Sequence, residues 1–179
     1  MKPDTFMDDF ERTEFGDEIH GILGRALIIA TRFDSMCKAL SITYKIRTSV
    51  KEKDKELNNE EFKKIIDKIT ANRKTLGENI EFLPIGNKLK SILHNARQAR
   101  NEIAHSLALG LEGDIECRAS RNVDNLILEA SELLKSVAKG DLIISAFISH
   151  SNKEPIPILD EKFCTSYENK IVNWVVTRY

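Results

Sequence analysis

Residues 87–109 read NKLKSILHNARQARNEIAHSLAL. Leu89, Ile92, Leu93, Ala96, Ile103 and Leu107 recur at three- and four-residue steps, the spacing of one buried helix face. Pro84 and Gly86 punctuate the chain before this stretch, and Gly110 and Gly113 follow it. The spacing therefore predicts a helix over Asn87–Leu109. On a wheel of about 100° per residue with Leu89 at zero, the apolar side chains fill the arc from about 280° through zero to about 40°. Arg100 falls inside that arc, at about 20°. His94, Asn101 and His105 form a polar ridge at about 120–160°, with Arg97 at its edge. An arginine in a core-facing stripe must reach water or find an acid, such as Asp34. A ridge of two histidines and an asparagine has poor helix propensity. Local rules broken at one place mark a candidate functional site. The plainer reading is that Arg100 snorkels or is paired and that both histidines are surface residues.

The same periodicity extends outward. Ile19, Ile22, Ala26, Ala30, Phe33, Cys37 and Leu40 predict a long first helix over Asp17–Ile46. The polar stretch Ser49–Asn59 reads as a loop or a fraying end, and Asn58 or Asn59 can cap a second helix. Its stripe is Phe62, Ile65, Ile66 and Ile69, and Gly77 is expected to end it. A fourth helix is expected over Ser120–Ala138, closed by Gly140, and a last one over Glu161–Thr177. Between them Leu142–Ser149 is rich in β-branched residues. It fits a strand paired with Ile156–Leu159 across the turn His150–Glu154, or an extension of the fourth helix; the hairpin is favoured. The fold expected is all-α: an antiparallel bundle of four to five helices with a small C-terminal hairpin. Residues 1–179 form one domain, with a core over about 17–138 and an extension over 139–179.

Composition narrows the function. The chain has 179 residues, 41% hydrophobic and 31% charged, enough for one domain with a real core. With only 8 glycines and 4 prolines, a turn-rich all-β fold and a disordered chain are both disfavoured. No apolar run approaches the ~20 residues that span a bilayer. Met1–Phe15 is acidic and lacks an apolar segment of the signal-peptide kind, so the expected location is cytoplasmic, away from membranes. Lys and Arg number 27 against 28 Asp and Glu, so any contact with nucleic acid must come from a local patch. One such patch is visible: Gly86–Asn101 carries Lys88, Lys90, Arg97 and Arg100 and no acid, whereas Asp8, Asp9, Glu11, Glu14, Asp17 and Glu18 crowd the start. Cys37, Cys117 and Cys164 have no metal-ligand spacing and read as reduced, small apolar residues. No metal site and no cofactor are expected.

The run Arg100-Asn101-Glu102-Ile103-Ala104-His105 resembles the R-N-x-x-x-H form of the motif that marks the HEPN superfamily of small helical-bundle proteins. The resemblance covers about Asp17–Ala138. It implies a metal-independent endoribonuclease of a toxin–antitoxin or abortive-infection system, working as a homodimer with the two motif helices facing each other across an RNA cleft. Carried over, the catalytic positions are Arg100, Asn101 and His105. His94, Arg97, Lys88 and Lys90 are added as substrate contacts from the wheel and the charge pattern. Expected partners are an RNA substrate, a second copy of the chain, and an antitoxin or other regulatory protein. The residue types suit the chemistry. A histidine serves as general acid or base near neutral pH. Arginine offers a permanently charged fork to phosphate oxygens. Asn101 can orient His105 or hold a substrate oxygen. Two other readings compete: a HEPN-type module without nuclease activity that binds nucleotide, RNA or protein, and an unrelated helical regulator.

Overall fold

A computed structural model describes residues 14–53, 57–72, 74–108 and 115–177, with only the backbone for 115–123. Six helices follow in order: α1 (Glu14–Lys51), α2 (Asn59–Ala71), α3 (Leu76–Phe82), α4 (Asn87–His105), α5 (Ile115–Ser151) and α6 (Glu161–Val176). The described residues include no strand, so the all-α expectation holds. Glu14 and Asp17 lie in the first turn of α1, where the helix dipole favours negative charge. The earlier part of the acidic run, Asp8–Glu11, lies outside the described residues, as do Leu109, Gly110 and Gly113.

Three sequence expectations are corrected. Gly77 does not end α2. That helix stops at Ala71, and Gly77 sits in the first turn of a separate short helix, α3. The signal for α3 is Thr75-x-x-Glu78, a capping box in which Thr75 Oγ1 accepts from the Glu78 amide at 3.2 Å and Glu78 Oε2 accepts from the Thr75 amide at 2.8 Å. Gly140 does not close the fourth helix either, because α5 runs through it to Ser151. Consequently Leu142–Ser149 is helix, and Ile156–Leu159 is an exposed non-helical segment rather than a paired strand. Burial decided this over β propensity: Leu142 and Ile144 are both buried, about 200° apart around α5, so this part of the helix is covered on more than one side.

Gly140 continues a helix because its missing side chain is used in packing. A Cβ there would lie 2.5 Å from Ala96 Cβ of α4 and 2.8 Å from Phe33 Cε2 of α1. Small residues recur on the two partner helices, with Ala26 and Ala30 on α1 and Ala96 and Ala99 on α4, all buried. α5 packs most extensively against α4, then against α1 and α6. The core that these helices share joins Ile22, Phe33, Leu93 and Leu134 to Ile144 and Val175, so the chain beyond residue 138 contributes to it. Next to Gly140, Asp141 is buried. Its carboxylate accepts from Arg32 Nε of α1 at 3.1 Å, from Ser145 Oγ at 3.5 Å and from the hydroxyl of Tyr167 on α6. Burial and the hydrogen bond to Asp141 push the Tyr167 phenol up to about 12.

The periphery is looser. α2 starts at the Asn58–Glu61 capping box but buries no residue fully, and Phe62 of its expected stripe is 42% exposed. Asp160 caps α6 by accepting from the Phe163 amide at 2.7 Å. Cys37 is buried and free, and burial, helped by Asp34 and Asp141, raises its thiol to about 12. Cys164 is half-buried and free, and the side chain of Cys117 lies outside the described residues.

Candidate active site on the fourth helix

α4 buries Leu93, Ala96, Ala99 and Ile103, which fixes its rotation against α1 and α5. That rotation sends Arg100 toward α1. Arg100 is half-buried, and its Nη2 donates to Asp34 Oδ2 at 2.8 Å. This is the acid that the sequence pattern required. Nη1 donates to Asn101 Oδ1 at 3.2 Å, so the asparagine oxygen serves the arginine. One turn on, His105 ends the helix and is exposed, as are Asn101 and Glu102. The three motif residues thus share the last turn and a half of α4. Arg100 is braced from below by a carboxylate, and Asn101 and His105 are open to solvent.

The other nominated residues are placed differently. His94 Nε2 lies 2.6 Å from Glu81 Oε1, and Lys90 Nζ reaches Glu81 Oε2 at 3.3 Å and the Glu81 carbonyl at 2.6 Å. The hydrogen bond from His94, then that from Lys90, holds the Glu81 carboxyl below its ordinary range. Glu81 comes from α3 and was not among the sequence candidates. Arg97 is also turned to α3, where its Nη1 stands 3.2 Å from the place a Cβ on Gly77 would occupy. Lys88 is exposed near the start of the helix. The structure therefore gathers Arg100, Asn101 and His105 at one end of α4 and docks Lys90, His94 and Arg97 against α3.

Three nitrogens of α4, His94 Nδ1, Arg97 Nε and Arg100 Nε, are buried without a hydrogen-bond partner among the described residues. Among the described residues no cluster of three or more His, Cys, Asp or Glu side chains could hold a metal ion. No helix among them is long and apolar enough to cross a membrane. Compared with protein-family models, curated proteins and solved structures, the chain matches none.

Proposed function

We propose that this protein is a metal-independent endoribonuclease of the HEPN type, an antiparallel helical bundle acting as a toxin or antiphage effector in the cytoplasm. What carries the reading is one arrangement: Arg100 braced by Asp34, bonded to Asn101, and one turn from an exposed His105. RNA supplies its own nucleophile, the 2′-OH. His105 takes or returns the proton, and the Arg100 guanidinium meets the charge that grows on the phosphorane oxygens. Asn101 keeps its amide nitrogen for a substrate oxygen while its carbonyl oxygen steadies Arg100. A single copy presents this set on an open helix face, which grips a phosphate poorly. The functional unit proposed is therefore a twofold homodimer in which two α4 ends enclose the RNA. Two copies of His105 then divide the acid and base roles.

The test is cleavage of a purified RNA oligonucleotide in the presence of EDTA. The products should be a 2′,3′-cyclic phosphate and a 5′-OH, and a DNA oligonucleotide of the same sequence should stay intact. Cutting that needs added Mg²⁺, or that spares neither polymer, overturns the proposal. Light scattering should show a dimer at micromolar concentration.

One observation favours a second reading, a HEPN-type module that binds nucleotide, RNA or protein without cutting it. The Arg100 charge is already met by Asp34. Expression in a bacterial host separates the two: the nuclease should arrest growth in a way that His105→Ala relieves, and the binding module should not.

A further inference from the structure

The last turns of α1 and the side of α2 turned toward them border a groove of about 640 Å³. Five lysines line it against two glutamates. Lys45 comes from α1, Lys53 from the turn after it, Lys64 and Lys68 from α2, and Lys74 from the link to α3. Glu61 spends its charge in the capping box, where Oε2 accepts from the Asn58 amide at 3.3 Å. So strong a bias is absent from the composition as a whole, which is one charge from neutral.

The groove is built rather than incidental. Lys45 is held over the Phe82 ring, 4.9 Å from its centroid, and donates to the buried Asn79 at 3.4 Å. Burial, and then the charge of Lys74, lowers its ammonium below the ordinary value. Between the lysines lie Ile65 and Ile69, half-buried, on a helix with no fully buried residue. Lys64 and Lys68 stand one turn apart, about 6 Å along the axis, a step comparable to that between neighbouring phosphates of an extended strand. A ligand that alternates anionic and apolar surface matches this lining: phosphates on the lysines, ribose or base faces on the isoleucines. The short α3 also joins the groove to the motif helix. Its Asn79 meets Lys45, while its Glu81 meets His94 and Lys90 of α4.

We propose that the α1–α2 groove binds the phosphodiester backbone of single-stranded RNA, extending the substrate contact beyond the Arg100–His105 end of α4. This depends on RNA being the substrate, as proposed above.

The test uses the full chain carrying His105→Ala, so that the probe survives, and a fluorescein-labelled oligouridylate followed by anisotropy across a salt series. K64E/K68E should weaken binding by about tenfold or more and reduce the slope of log affinity against log salt by about 1.4, at about 0.7 per lost phosphate contact. K64Q/K68Q should act in the same direction but less. K162E/K170E, which reverses two exposed lysines on α6, should leave affinity within twofold. Thermal melts by circular dichroism check that each variant folds; α2 buries no residue fully, so folding should persist. Unchanged affinity in K64E/K68E, or an equal loss in K162E/K170E, overturns the groove. The two proposals fail separately. Binding that needs Lys64 and Lys68, in a chain whose unsubstituted form never cuts RNA, sinks the nuclease and keeps the groove. Cutting with binding indifferent to those lysines does the reverse.

Discussion

Arg100 and Asp34, sixty-six residues apart in sequence, meet at 2.8 Å where α4 crosses α1. The pair is partly exposed, 24% and 32% for the two side chains, so its contribution to stability is small, about 1 kcal/mol or less. Its consequence is positional. Asp34→Ala should lower RNA cleavage while leaving the melting temperature nearly unchanged, and the loss should be smaller than for Arg100→Ala. Cleavage unaffected by Asp34→Ala would mean that the carboxylate does not brace the arginine in the working enzyme.

His105 and Ile103 are neighbours with opposite predicted phenotypes. His105 is exposed, so His105→Ala should change stability by no more than about 0.5 kcal/mol and abolish cleavage. Ile103 is 7% exposed and lies in the core, so Ile103→Ala should cost about 2–5 kcal/mol by opening a cavity. Denaturant titration paired with a cleavage assay reads both. An unfolded His105→Ala chain would reclassify the histidine as structural.

Gly140→Ala tests the helix crossing. The added methyl would sit 2.5 Å from Ala96 Cβ and 2.8 Å from Phe33 Cε2, and both neighbours are buried. Overpacking of this kind costs about 1–3 kcal/mol. Ala has the better helix propensity by about 1 kcal/mol, so stabilisation is the expected outcome if the glycine merely interrupts a helix. The sign of the change, read by denaturant titration, separates the two.

Tyr167 gives the chain an alkaline signature. Its folded phenol is raised to about 12, above the ordinary value of 10.0. The folded state therefore holds this proton more tightly than the unfolded state does. The resulting stability is present below pH 10 and is lost as pH rises through 12. A late tyrosinate absorbance step should appear near pH 12 and vanish in Tyr167→Phe. That variant should also lose about 1–3 kcal/mol, because buried Asp141 loses a donor.

The apolar spacing made α1 and α4 legible, since Ile19, Ile22, Ala26, Ala30, Phe33, Cys37 and Leu40 of the first and Leu93, Ala96 and Ile103 of the second are buried. It also located the first half of α5, through Ala130, Leu134 and Val137, and α6, of which only Val172 and Val175 are buried among the described residues. Arg100 in the stripe required an acid, and Asp34 is that acid. Glycine misled twice. Gly140 and Gly77 were read as stops, yet one permits a close crossing with Phe33 and Ala96 and the other leaves room for Arg97. A terminator and a contact glycine look alike until the neighbouring helix is placed. Leu142–Ser149 failed for the same reason: β-branched content is local, and the burial that kept it helical is not. Glu81 was invisible because it sits on a seven-residue helix too short to show a period.

Asp141 has a consequence for alignment. One buried carboxylate receives a guanidinium from α1 and a phenol from α6. Sliding either helix by one turn, about 5.4 Å, would leave an acid in the core without its donors, a far larger penalty than the few apolar contacts such a slip exchanges. Asp141 thus works as an index mark that admits one longitudinal setting of the three helices. Arg32 and Asp34 are two residues apart on α1, and Gly140, next to Asp141, meets Ala96 of α4, so the setting that satisfies Asp141 also brings Asp34 level with Arg100. The height at which the motif arginine is gripped is inherited from a carboxylate that has no part in the site.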